Sequence, residues 1–114
     1  MKFTTSIRLD HALYTYTLAQ SVRPYTLKDT GFTQKTIGYY ELQRTLSDDH
    51  TPNRQVTLKI TINKTLDGAK IALTDQSGLH KIDIFKSESD LALQNSFYFI
   101  MDNLCERGLF TKSN

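Results

Sequence analysis

The side chains best suited to acid–base or nucleophilic chemistry are three histidines, one cysteine and a scatter of carboxylates. His11 follows Asp10 and His50 follows Asp48-Asp49, so each has the form of an acid–base couple, yet both sit among turn formers and read as solvated loop residues. His80 reads as a strand-edge or surface group. No His-Glu-x-x-His helix, close histidine pair or Cys–His set is present, which leaves a zinc site unsupported. Cys105 is alone, excluding an internal disulfide, and its place in an amphipathic segment reads as a small packed side chain. Asp67-Gly68-Ala69-Lys70 and Gln76-Ser77-Gly78-Leu79 carry lone glycines without the spacing of a phosphate loop, and there is no Gly-x-Ser-x-Gly elbow. The sequence therefore nominates no catalytic residue, metal or cofactor. A small enzyme would need a convergent site invisible in linear order, such as His11 or His50 beside a carboxylate in a cleft.

Binding is the alternative. Six tyrosines and six phenylalanines are many for this length. Tyr25, Tyr39 and Tyr40 are candidate ligand-binding residues if exposed; the opposing expectation is that the early aromatics pack on a sheet with hydroxyls at its rim. Lys59, Lys70 and Lys81 fall on the polar parity of predicted strands and, around an exposed Tyr39 or Phe85, would suit an RNA-binding face. Asp83 shares that parity, and 14 basic against 12 acidic residues give only +2, so a solvated face is the better reading.

These residues must be positioned by elements legible from periodicity. Val56, Leu58, Ile60 and Ile62 alternate with Thr57, Lys59 and Thr61, predicting a half-buried strand. A turn with positive φ is expected at Asp67-Gly68, then a return strand through Ile71 and Leu73, another turn at Asp75–Gly78 and a third strand through Ile82 and Ile84. The segment from Glu88 to Arg107 carries Leu93, Phe97, Ile100, Met101 and Leu104 on one helical stripe, capped by Ser87, with Asp90 completing a variant capping box and Gly108 as a left-handed stop.

Upstream, Phe3, Thr5, Ile7 and Leu9 predict a strand ending at Asp10-His11. Leu13 to Ala19 fits helix or strand, with Thr15 and Thr17 favouring the extended form. Arg23-Pro24 should end any helix before it, Tyr25 to Lys28 is expected as a short extended piece, and Asp29-Thr30-Gly31 as a turn. Thr36 to Leu46 is expected as a strand interrupted by Arg44, and Ser47 to Asn53 as a surface loop.

At 114 residues and 39% hydrophobic content, the chain can build a core without staples. The expectation is one α+β domain over residues 1–114: a twisted antiparallel sheet of about five strands, covered on one face by the C-terminal amphipathic helix. No signal-peptide core or membrane-length apolar run is seen, so the chain is expected to be cytoplasmic.

The ordered segments Tyr25-Thr26-Leu27-Lys28-Asp29-Thr30-Gly31-Phe32 and Tyr39-Tyr40-Glu41-Leu42-Gln43-Arg44, followed by the long strand and terminal helix, resemble a small family of lactic-acid bacteria and relatives, domain of unknown function 1831. The resemblance covers nearly the whole chain. It implies a cytoplasmic accessory or ligand-binding protein linked to amino-acid metabolism, beside sulfur-handling enzymes such as cysteine desulfurases, and it carries no site residue. The expected function is thus a non-catalytic binding or accessory protein whose partner is a metabolic enzyme or small molecule, without nucleic acid or membrane, as monomer or homodimer. The RNA-binding module and the small enzyme are its alternatives.

Overall fold

The computed structural model describes residues 3–48 and 51–114, with the side chains of 47–54 outside the description. Its elements are β1 (Ser6–Ile7), β2 (Thr15–Leu18), α1 (Pro24–Asp29), β3 (Thr33–Gln34), β4 (Tyr40–Asp48), β5 (Thr51–Ile62), β6 (Ala69–Thr74), a 3-10 turn (Glu88–Asp90), α2 (Leu91–Glu106) and β7 (Phe110–Ser113). The α+β class with antiparallel sheets and a covering C-terminal helix holds. The strands divide into a four-stranded sheet of order β3-β4-β5-β6 and a three-stranded sheet of order β1-β2-β7, where one sheet of about five was expected. The sheets are stitched together where Thr4 and Ala69 exchange both backbone hydrogen bonds, at 3.1 and 2.8 Å.

Strand β5 owes its length to strict alternation. Val56, Leu58, Ile60 and Ile62 are fully buried, and the partners Leu42, Leu46, Ile71 and Leu73 meet them across the register Leu42↔Ile60, Leu46↔Val56, Ile60↔Ile71 and Leu58↔Leu73. Helix α2 supplies the cover: Leu93, Phe97, Met101 and Leu104 are buried and Ile100 packs beside them. Burial of each such side chain is worth roughly 1.5–3 kcal/mol before ordering entropy. The Ser87 Oγ accepts the Ser89 amide at 3.2 Å, as a cap should. Gly108 at φ +83 ends the helix, with the Leu109 amide donating to the Leu104 carbonyl at 3.0 Å, and sends the chain into β7 beside β2. Among the described residues no helix is long and apolar enough to cross a membrane.

Several local expectations are corrected. Tyr25 to Lys28 is helical: Pro24 occupies the first turn of α1 and Arg23 is extended at φ −129, ψ 155, which is the conformation a pre-proline residue prefers. The stretch 36–39 is a loop, closed by Gly38 donating to the Lys35 carbonyl and Lys35 donating to that of Tyr39. Strands occupy Ser47-Asp48 and Thr51 to Asn53 in place of the surface loop, while Asp49 and His50 lie outside the described residues. The turn after β5 takes its positive φ at Leu66, not Gly68, because Asn63 organises it by accepting the Asp67 and Gly68 amides at 3.0 and 3.1 Å. Gly68 is required for space instead: a Cβ there would lie 2.9 Å from that of Phe3. The third strand through Ile82 and Ile84 is reduced to a single bridge, Thr74↔Lys81. Beyond it the Asp83 carboxylate accepts the Phe85 amide at 2.8 Å and turns the chain away.

Candidate functional site

The outer face of the four-stranded sheet carries the polar parity of its strands. Glu41 and Gln43 on β4, Lys59 and Thr61 on β5, and Lys70 and Ala72 on β6 lie side by side because Glu41 pairs with Thr61, Gln43 with Lys59, Thr61 with Lys70 and Lys59 with Ala72. Lys81 joins them through its bridge to Thr74. With Phe3 and the 35–39 loop these residues enclose an open groove of about 410 Å³ lined by Phe3, Ile37, Tyr39, Lys59, Lys70 and Lys81 over Ala72 and Thr61. The three lysines selected from sequence thus converge with Tyr39.

Glu41 sets the electrostatics of this face. It is 7% exposed, and its two oxygens meet the Nζ atoms of Lys35 and Lys59, each at 2.9 Å. Burial pushes its carboxyl up, but hydrogen bonds from the two ammonium groups outweigh burial and hold it below the ordinary range. Lys70 Nζ stands 4.3 Å from the Phe3 ring centroid, a cation–π contact. Among the described residues neither Lys70 nor Lys81 is held in an ion pair, so both ammonium groups remain available over an apolar floor.

The other two tyrosines do not line the groove. Tyr40 points into the core, and Tyr25 is exposed on α1. The sequence pattern places Phe3 on a strand face and Ile37 inside a strand; in the structure both line the groove, Ile37 because its segment is a loop. Phe85 packs in an aromatic cluster with Phe97 and Tyr98, at centroid distances of 5.3 and 5.8 Å.

A second, smaller hollow of about 280 Å³ adjoins the groove and shares Ala72 and Lys81 with it; Arg8, Asp10 and Asp83 are on its rim. His11 Nδ1 contacts Asp83 Oδ2 at 2.6 Å, but His11 itself is not among the lining residues. His80 is exposed in the 75–80 turn. Cys105 is half-buried on α2; burial, then Asp102, pushes its thiol up, the opposite of an activated nucleophile. The buried Tyr16 hydroxyl, without a partner among the described residues, is likewise pushed up by burial first. Among the described residues no three metal-ligating side chains converge.

Comparison with known proteins fits this architecture. No curated protein matches the chain. A crystal structure of a domain-of-unknown-function 1831 family protein from Lactobacillus plantarum superposes with a TM-score of 0.88 at 30% identity, covering 99% of each chain. The family model of domain of unknown function 1831, described as "Putative amino acid metabolism", matches residues 1–111, and the chain belongs to that family.

Proposed function

We propose that this protein is a non-catalytic binding or accessory protein of amino-acid metabolism that holds a small anion with an aromatic or apolar body in the lysine groove. The observation that carries this reading is the convergence of Lys59, Lys70, Lys81 and Tyr39 on one groove of about 410 Å³, a volume typical of small-molecule sites. The lysines supply the anion's partner, and Phe3, Ile37 and Tyr39 supply apolar cover for its body. Glu41 consumes much of the charge of Lys35 and Lys59, which suits one anionic group better than a polyanion. The family description is the support for amino-acid metabolism.

Calorimetric titration with phenylpyruvate and phenyl phosphate tests it, with inorganic phosphate as the control lacking a body. Saturable binding of the aromatic anions, weaker binding of phosphate and loss of binding in Lys70→Gln are expected. Binding unchanged by Lys70→Gln, or no binding of either aromatic anion, counts against the reading.

The same lysines around Tyr39 and Phe3 also favour a single-stranded RNA face. That reading requires oligonucleotide binding whose affinity falls steeply with salt. A flat salt response excludes it.

A further inference from the structure

We infer that the smaller hollow, between β6 and the segments 7–10 and 81–85, binds a single free α-amino acid with an apolar side chain. This goes beyond the groove reading and does not depend on it, since the two concavities have only Ala72 and Lys81 in common.

Charge on the rim is balanced and of both signs: Arg8 and Lys81 against Asp10 and Asp83. A zwitterion satisfies such a rim, its carboxylate meeting Arg8 and Lys81 and its ammonium meeting Asp10, since the two Asp83 oxygens are already engaged by His11 and by the Phe85 amide. A simple anion would face Asp10 and Asp83, and a simple amine would face Arg8 and Lys81, each with like-charge repulsion. Among the described residues Arg8 uses only Nε, donating to the Ala12 carbonyl at 3.0 Å, so its terminal nitrogens are placed for a two-point carboxylate contact. Asp10 has no side-chain hydrogen bond or ion pair among the described residues. Ile7, Leu9 and Ile82 form apolar wall for a side chain, and about 280 Å³ accommodates a ligand the size of one amino acid.

The rim is also held in place. His11 takes a left-handed conformation at φ +67, unusual for a residue with a Cβ. Three bonds enforce it: the Ala12 amide to the Leu9 carbonyl at 3.0 Å, Arg8 Nε to the Ala12 carbonyl, and His11 to Asp83. That tight turn sets Arg8 and Asp10 on the lining of the hollow, and the His11 contact holds Asp83 on the same lining. Such preorganisation reduces the ordering loss on binding a small ligand.

The test is calorimetric titration of the full chain with each of the twenty free L-amino acids, then with the half-charged analogues of leucine, isocaproate and isoamylamine. Saturable binding is expected for apolar amino acids and for neither analogue. Asp10→Asn removes the charge of an exposed side chain and Arg8→Gln removes the guanidinium cation; each should weaken leucine binding by about tenfold or more, the scale of one charged hydrogen bond. Lys70→Gln, which lies in the groove alone, should leave it unchanged. Binding of none of the twenty, equal binding of either analogue, or full affinity in both Asp10→Asn and Arg8→Gln would overturn the assignment. The groove reading fails separately, through aromatic anions that do not bind or that ignore Lys70→Gln.

Discussion

His11 Nδ1 lies 2.6 Å from Asp83 Oδ2 and ties together segments 72 residues apart. The contact anchors the turn after β1 to the chain leaving β6, at the rim of the smaller hollow. Burial pushes the Asp83 carboxyl up, but the Phe85 amide and then His11 outweigh it and hold it below its ordinary value of 3.8. A depressed carboxylate stabilises the fold above that value and loses its contribution as pH falls through the lowered one. Asp83→Asn should therefore cost about 0.5–1 kcal/mol at neutral pH, discounted for partial exposure. Urea unfolding should show the gap from the parent protein shrinking as pH drops below about 4. Faster amide exchange at Ala12 is the local counterpart.

Glu41 is the second acid-sensitive point. Its carboxyl is held below the ordinary 4.5 despite burial, so its ion pairs stabilise above that pH and fade as pH falls through the lowered value. Hydrogen bonding to Glu41 in turn raises Lys35 above its usual 10.5, so that side of the pair is complete below 10.5 and is lost only as pH climbs through the raised value. Glu41→Gln should cost about 1–2 kcal/mol, less than for a fully buried pair because both ammonium groups are exposed. It should also tighten binding of aromatic anions in the groove, since Lys59 is released from its carboxylate. Chemical denaturation and anion titration on the one variant measure both effects.

Tyr25 and Tyr40 separate exposure from burial within one residue type. Tyr40 is 5% exposed under the sheet, whereas Tyr25 is 69% exposed on α1. Tyr40→Ala should destabilise by about 3–5 kcal/mol, as for other buried aromatics. Tyr25→Ala should stay within about 0.5 kcal/mol. Thermal unfolding of the two variants distinguishes them, and neither change should remove a groove contact.

Much of the frame was legible because two periodicities were strong. The β5 alternation and the α2 stripe each bury one complete face, and tertiary packing had no competing pattern to overrule. That Lys59 and Lys70 share a sheet face was legible for the same reason, because residues of one parity on paired strands must do so; Lys81 reaches that face through a single bridge. What failed was local. The Arg23-Pro24 step predicts the end of a preceding helix, but the fixed φ of Pro24 also suits a helix start, and α1 begins there. The alternation of Ile82 and Ile84 predicts a last strand, but the Asp83 side chain takes the Phe85 amide and only a single bridge forms. The His11–Asp83 pair was out of reach because nothing local links residues 72 positions apart.

Cys105 offers a decisive check on any sulfur-handling chemistry. Its thiol faces burial first and the Asp102 carboxylate second, both favouring the protonated form, and together they outweigh the opposing Lys112, which is paired with Asp102 at 2.9 Å. Thiolate is the reactive species, so the folded protein should react with a disulfide reagent at pH 8 more slowly than the same chain in denaturant. A nucleophilic or persulfide-carrying cysteine requires the reverse order, with the fold lowering the thiol's ionisation. Cys105→Ser should accordingly leave binding of aromatic anions and amino acids intact. Faster reaction in the folded state, or loss of binding in Cys105→Ser, would move the chemistry from the sheet face to α2.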